Sequence, residues 1–175
     1  MRFQETGLPG AFSVAPDPLE DERGFFARSF CREEFRAHGL NPDVSQCNIS
    51  FNRRKGTLRG MHFQEPRPEA KLVRCTRGAL WDVIVDLRPG SRTFMSHFGI
   101  RLDAARSLML YVPEGLAHGF LTLEDDTEVF YQMSESYVPG NSRGVRWDDP
   151  AFAIRWPTLP SSMSDRDRDY PDFRT

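Results

Sequence analysis

The chain has 175 residues and a formal charge of -2, with both signs intermixed. That length suits one domain, 1–175, around a single substantial core, and that balance supplies neither a basic field for nucleic acid nor an acidic tail. No run nears the roughly 20 apolar residues of a membrane span, and Met1-Arg2-Phe3-Gln4-Glu5 lacks the apolar stretch of a secretion signal. Cys31, Cys47 and Cys75 are odd in number and irregular in spacing, which fits neither a disulfide framework nor a CxxC metal site. A soluble cytoplasmic protein, without nucleic-acid or membrane partners, is the expectation.

In chain order, residues 32–38, with Glu33, Glu34 and Phe35, read as one short helix. From residue 44 onward period-two patterning dominates. Lys71-Leu72-Val73-Arg74-Cys75-Thr76-Arg77 reads as a strand, and Leu80-Trp81-Asp82-Val83-Ile84-Val85-Asp86-Leu87 as the next, closed by the turn chemistry of Arg88-Pro89-Gly90. Residues 107–112 and 128–133 follow as strands, separated by Pro113-Glu114-Gly115 and Glu124-Asp125-Asp126. Turn signals recur about every 8–12 residues, the spacing of an all-β sandwich or jelly roll of antiparallel strands with minor helix. The tail from Ser161 is rich in Asp and Arg, but Tyr170 and Phe173 suggest that it docks onto the body.

The chain holds four histidines: His38, His62, His97 and His118. His62 lies in Leu58-Arg59-Gly60-Met61-His62-Phe63-Gln64, and His118 in Pro113-Glu114-Gly115-Leu116-Ala117-His118-Gly119-Phe120, each on a strand-like edge beside glycine. His38 and His97 carry no motif and suit surface positions. Pro113-x-Gly115-x-x-His118 matches the second motif of the cupin jelly rolls. The first cupin motif supplies a His-x-His pair, whereas this chain has His62-Phe63-Gln64. Two imidazoles fall short of the three protein ligands usual for a catalytic metal, so a metal-free pocket is the better reading. Lys71 on an alternating strand, Arg59 three residues before His62, and Tyr131 on a late strand complete a minimal set. A base, a cation and a phenol acid can move a proton beside a carbonyl. No cysteine sits in an activation motif. A lone strand histidine is more often a hydrogen-bonded structural residue, and Lys71 and Arg59 could be solvated strand-face charges. The order of the surrounding motifs decides between these readings.

That order resembles the dTDP-4-dehydrorhamnose 3,5-epimerase family. The resemblance runs through Asp21-Glu22-Arg23-Gly24-Phe25-Phe26, Gln46-x-Asn48, Lys55-Gly56-x-Leu58-Arg59-Gly60-Met61-His62 and Ala70-Lys71-Leu72-Val73-Arg74. It continues through Arg77-Gly78-Ala79-x-x-Asp82-Val83, Ala117-His118-Gly119-Phe120, Tyr131, Tyr137-x-Pro139, Arg143-Gly144-x-Arg146-Trp147-Asp148-Asp149-Pro150 and Ser164-x-Arg166-Asp167. The resemblance implies a cupin-type jelly-roll barrel and cofactor-free epimerisation of a nucleotide-diphosphate 4-keto-6-deoxyhexose at C3, C5 or both.

It also implies roles. His62 would remove the proton alpha to the C4 ketone, with Asp167 holding and charge-balancing the imidazole. Tyr131 would return a proton from the opposite face, and Lys71 would stabilise the enolate oxygen. Arg23 and Arg59 would hold the diphosphate, while Phe26, Gln46, Asn48, His118 and Tyr137 would line the substrate pocket. A homodimer is implied, with N-terminal strands reaching the partner's sheet. Asp167 shares its tail with Asp165, Asp169 and Asp172, so its register is the least constrained of these assignments. Arg28 stands where the best-known members carry glutamate, which bears on the base or sugar; Cys47 and Trp81 also depart from the usual pattern. The rival readings are a single-carbon epimerase acting on a differently based nucleotide sugar, a non-catalytic sugar-binding cupin, and a metal-dependent cupin enzyme.

Overall fold

The computed structural model describes residues 1–174. It is built almost wholly of antiparallel strands. In order these are β1 (Arg2–Glu5), β2 (Phe12–Ala15), β3 (Leu19–Asp21), β4 (Gly24–Phe26), the helix α1 (Arg32–Ala37), β5 (Gln46–Asn52), β6 (Leu58–Gln64) and β7 (Lys71–Arg77). Then come β8 (Ala79–Asp86), β9 (His97–Asp103), β10 (Met109–Val112), β11 (Leu116–Thr122), β12 (Thr127–Met133), β13 (Ser142–Gly144) and the single turn α2 (Asp165–Arg168). Two sheets face each other, in the orders β1-β2-β10-β7-β12-β5 and β13-β6-β11-β8-β9, while β3 and β4 form a separate hairpin. This is the jelly-roll class expected from the turn spacing.

Three apolar layers hold the sheets. Between them, Val73, Cys75, Leu110 and Val129 pack against Leu80, Ile84, Leu102 and Phe120. On the outside of the six-stranded sheet, Phe35 of α1 covers Val14, Leu72, Met109 and Tyr111. Outside the five-stranded sheet, Val145, Phe152 and Phe173 cover Met61, Val83, Val85 and Ala117. Both faces of β8 are therefore dry, and seven of its eight residues are buried. The clean alternation expected for Lys71–Arg77 is correspondingly lost: Lys71, Leu72 and Val73 are all buried, because α1 and its flanking loop cover the face that a simple sandwich leaves wet.

The strands β6 and β11 approach unusually closely. Their register shifts between His118 and Phe120, and Gly60 (φ +139°) meets Gly119 there. A Cβ on Gly119 would lie 2.8 Å from the Arg59 carbonyl oxygen and 2.6 Å from Met61 Sδ. This contact brings His62 and His118 side by side as register partners. Trp81 has room for a similar reason, since Gly99, diagonally across from it on β9, carries no Cβ to meet the indole.

Overpacking of about 1–3 kcal/mol at such a contact predicts that Gly119→Ala lowers the thermal midpoint by at least about 2 °C. Circular dichroism melts of the two proteins check it; equal midpoints would show that the strands have slack.

Candidate active site

Side chains from both sheets converge on a cavity of about 640 Å³. The six-stranded sheet contributes Gln46 and Asn48 from β5, Lys71 from β7, and Tyr131 and Met133 from β12. The register places Tyr131 opposite Asn48, and Met133 opposite both Gln46 and Lys71. The five-stranded sheet supplies Arg59, His62 and Gln64 from β6 and His118 from β11. A second hollow of about 660 Å³ adjoins the first, sharing Arg59, His62, Tyr131 and Arg166 and adding Ile49, Phe51 and Met163. His62, Arg59, Tyr131 and Arg166 stand where the two hollows meet in one trench.

His62 is tied from behind. Its Nε2 lies 2.7 Å from Asp167 Oδ1, and the other carboxylate oxygen accepts the Gly60 N–H at 3.3 Å. Asp167 is 4% exposed. Ser164 caps α2 by accepting the Asp167 N–H through its side chain, which fixes the carboxylate's direction. Burial pushes the Asp167 carboxyl up, but the His62 and Gly60 bonds outweigh burial and hold it below the ordinary aspartate value. The carboxylate therefore stays ionised at neutral pH and accepts a hydrogen bond from the ring N–H at Nε2, which leaves Nδ1 with its lone pair free.

Lys71 is equally constrained. Its Nζ sits 2.9 Å from Glu69 Oε1 and donates to the His62 carbonyl oxygen at 3.1 Å. Across the cavity, burial raises the Tyr131 hydroxyl above the ordinary tyrosine value, opposed by the nearby Arg59 charge. The phenol thus remains a proton donor through neutral pH. Arg59 is oriented by an Nε bond to Asn52 Oδ1 at 2.8 Å. His118 pairs through Nε2 with Asp82 Oδ1 at 2.5 Å, in the dry interior of β8 and β11. Gln46 Oε1 accepts the Tyr137 N–H at 2.7 Å, and Gln64 Oε1 accepts the Val138 N–H at 3.1 Å, so the loop carrying Tyr137 is stitched to both sheets.

The structure thus gathers His62, Lys71, Tyr131, Asp167, Gln46, Asn48, Arg59, His118 and Tyr137 at one place. Arg23 and Phe26 are not among them. Both belong to the β3–β4 hairpin, away from this chain's trench; Arg23 pairs with its own Asp21 and Phe26 is 74% exposed. The hairpin does not fold back over its own cavity, so neither residue lines the trench of its own chain. Arg28 also lies outside the trench, bound to Glu34 at 2.8 Å. Of the remaining histidines, His38 is exposed, whereas His97 is half-buried with Nδ1 2.9 Å from the Phe152 carbonyl oxygen.

Sequence reasoning did not single out Glu69, Asp82 or Arg166 as site residues. An acid amid the apolar run of β8 was the available signal for Asp82. Arg166 flanks Asp167 and is held by Ser142 Oγ at 2.7 Å and Tyr170 at 2.9 Å. Among the described residues, no three His, Cys, Asp or Glu side chains cluster so as to hold a metal.

The family model for dTDP-4-dehydrorhamnose 3,5-epimerase matches residues 5–175. A dTDP-4-dehydrorhamnose 3,5-epimerase of Methanothermobacter thermautotrophicus is 41% identical, over 99% of this chain and 95% of that protein. A dTDP-4-dehydrorhamnose 3-epimerase of Streptomyces niveus is 39% identical, over 97% of this chain and 82% of that one. The crystal structure of the Bacillus anthracis dTDP-4-dehydrorhamnose 3,5-epimerase with TDP and PPi bound superposes with a TM-score of 0.94 at 39% identity, covering 98% of this chain and 99% of that one. Fold, trench and full-length similarity agree: the chain belongs to the dTDP-4-dehydrorhamnose 3,5-epimerase family of isomerases.

Proposed function

We propose that this protein epimerises a dTDP-linked 4-keto-6-deoxyhexose at C3 and C5 in activated deoxysugar biosynthesis, without a cofactor. The observation that carries the reading is the placement of His62 and Tyr131 on opposing sheets across one cavity. Inversion at a carbon alpha to a ketone needs a proton removed from one face and another delivered to the opposite face. A single group cannot do both without leaving the ring.

The steps balance as follows. The free nitrogen of His62 takes the alpha proton, the C–H electron pair forms the enolate, and negative charge gathers on the C4 oxygen. The Lys71 ammonium meets that charge in a site shielded from water, where a fixed cation acts most strongly. Asp167 steadies the resulting imidazolium. The Tyr131 hydroxyl then protonates the carbon from the other side, and both groups reset through solvent. Arg59 serves the diphosphate, and His118, Gln46, Asn48 and Tyr137 orient the sugar.

The same reading makes the protein a single-domain, cytoplasmic homodimer. The β3–β4 hairpin exposes Leu19, Phe25 and Phe26, and β5 exposes Ile49 and Phe51 at the end of its sheet. Uncovered edges with apolar side chains are usually paired or capped. Docking of the hairpin on the partner's β5 would bring Arg23 and Phe26 to the partner's trench, which accounts for their absence from their own. The single-carbon reading draws support from the Streptomyces niveus relative, which is named a 3-epimerase at nearly the same identity.

Incubation with dTDP-4-dehydro-6-deoxyglucose in deuterium oxide should place deuterium at both C3 and C5 of the product; label at C3 alone selects the single-carbon reading, and no label refutes the function. His62→Ala should slow wash-in by about 10²–10⁴-fold, the usual contribution of a general base. Tyr131→Phe should slow product formation more than wash-in, because enolate formed by His62 can still collapse on its original face. Equal slowing of both would remove Tyr131 as the opposite-face acid.

A mixing experiment tests the composite site. Arg23→Ala and His62→Ala homodimers should each be nearly inactive. Subunit exchange between them should restore activity, approaching about a quarter of the wild-type level, because half the dimers formed at random are hybrid and each hybrid holds one intact site of two. Persistent inactivity after verified exchange would place both residues in the same chain's site.

A further inference from the structure

Among the described residues Glu69 is the one carboxylate lining the first of the two hollows, and the proposed reaction assigns it nothing. It lies two residues before Lys71, is 5% exposed, and its Oε1 approaches Lys71 Nζ at 2.9 Å. Its Oε2 is buried with no hydrogen-bond partner. A buried carboxylate with half its acceptor capacity unused costs free energy and calls for a reason. Its recorded polar contact is the Lys71 ammonium alone.

Lys71 supplies the reason. An ammonium on a flexible four-carbon stem has three donors and no fixed orientation of its own. Here the ammonium is ion-paired with Glu69 Oε1 at 2.9 Å and donates a hydrogen bond to the His62 carbonyl oxygen at 3.1 Å. A carboxylate in the β6–β7 connection and a backbone carbonyl within β6 hold the nitrogen from two sides and leave it N–H capacity for a ligand in the cavity.

We propose that Glu69 is a positioning residue for the epimerisation. Its Oε1 sets the Lys71 ammonium where the enolate oxygen develops, and it acts on the reacting atoms only through Lys71. This rests on the enolate-stabilising role given to Lys71 above. Preorganisation matters because a misplacement of about 1 Å in such a group can cost about 10²-fold in rate.

Position and charge can be separated by two substitutions. Glu69→Gln keeps an acceptor oxygen at the same reach without the charge, whereas Glu69→Asp keeps the charge and withdraws the oxygen by about 1.5 Å, one carbon–carbon bond. Steady-state turnover should show Glu69→Gln within about threefold of wild type in kcat, and Glu69→Asp lower by about 10–100-fold. KM should stay within about threefold in both, since ground-state binding is untouched. In a Lys71→Met background, Glu69→Asp should add less than about twofold.

Wild-type kcat in Glu69→Asp would overturn the assignment, as would equal losses in the two variants, or a loss that persists undiminished in the Lys71→Met background. If Lys71→Met itself turns over normally, the enolate role of Lys71 falls instead. A crippled Lys71→Met beside an unaffected Glu69→Asp removes Glu69 alone. Urea unfolding confirms that each variant is folded. Should Glu69→Asp not fold, Glu69→Asn against Glu69→Gln poses the same positional question with the same expected contrast.

Discussion

The hydrogen bond between His62 and Asp167 joins residues 105 positions apart, and much of the architecture serves to close that gap. Asp167 arrives on a one-turn helix that would not persist alone. The chain before it is pinned where Leu58 N–H donates to Ser162 O at 2.8 Å and Ser161 Oγ to Lys55 O at 2.8 Å. The chain after it is held by the Phe173 N–H on Asp149 at 2.6 Å, by the Arg146–Asp172 pair at 2.6 Å, and by the Phe173 ring against Phe152. Tyr170 packs on Gly144, where a side chain would collide with its ring. Each tether offsets part of the loop-closure entropy that a long crossing incurs. Together they let a carboxylate sit buried and ionised behind the base.

The trench follows one electrostatic rule: its most deeply buried charged or titratable side chains are paired. His62 has Asp167, His118 has Asp82, and Lys71 has Glu69. Burial of an unpaired charge costs several kcal/mol, so pairing lowers the cost of keeping these groups out of water. Tyr131 is the exception, and its position is consistent with a different task. A neutral phenol needs no counter-charge, and burial favours keeping its proton. The side of the cavity that holds Lys71, Glu69 and Asp167 is therefore ionic, while the Tyr131 side is neutral.

Much of this was legible in the residues. Turn spacing gave an all-β jelly roll, and the paired histidine-glycine segments marked β6 and β11 before any geometry was known. The missing second histidine in His62-Phe63-Gln64 was legible too: Gln64 instead holds the Val138 N–H and so shapes the cavity wall. Pairings between distant residues were not legible. Nothing in the spacing links Asp82 to His118 or Glu69 to Lys71, because those contacts depend on register and on which face of a doubly buried strand is turned inward. The burial pattern of β7 misled for the same reason, since the helix that dries its outer face lies far upstream. Arg23 and Phe26 were read as pocket residues from order alone, and order does not say which copy's pocket.

That last point bears on how the site is completed. Within one chain the trench holds His62, Tyr131 and Lys71, yet its second hollow is bounded by Ile49 and Phe51 on the strand that ends the six-stranded sheet. The two exposed residues alternate along β5 with Asn48, which faces the cavity, so the strand presents polar groups inward and apolar groups to its surroundings. The β3–β4 hairpin offers the complementary surface: Phe25 and Phe26 for the apolar edge, and Arg23 beside them, engaged only by an exposed aspartate two residues away. Exchanging a solvent-exposed Asp21 for a diphosphate costs little, because an exposed ion pair is screened by water and salt. In the proposed dimer, the contact that covers the apolar edge of β5 would also deliver the guanidinium. Assembly and completion of the substrate site then become one event rather than two.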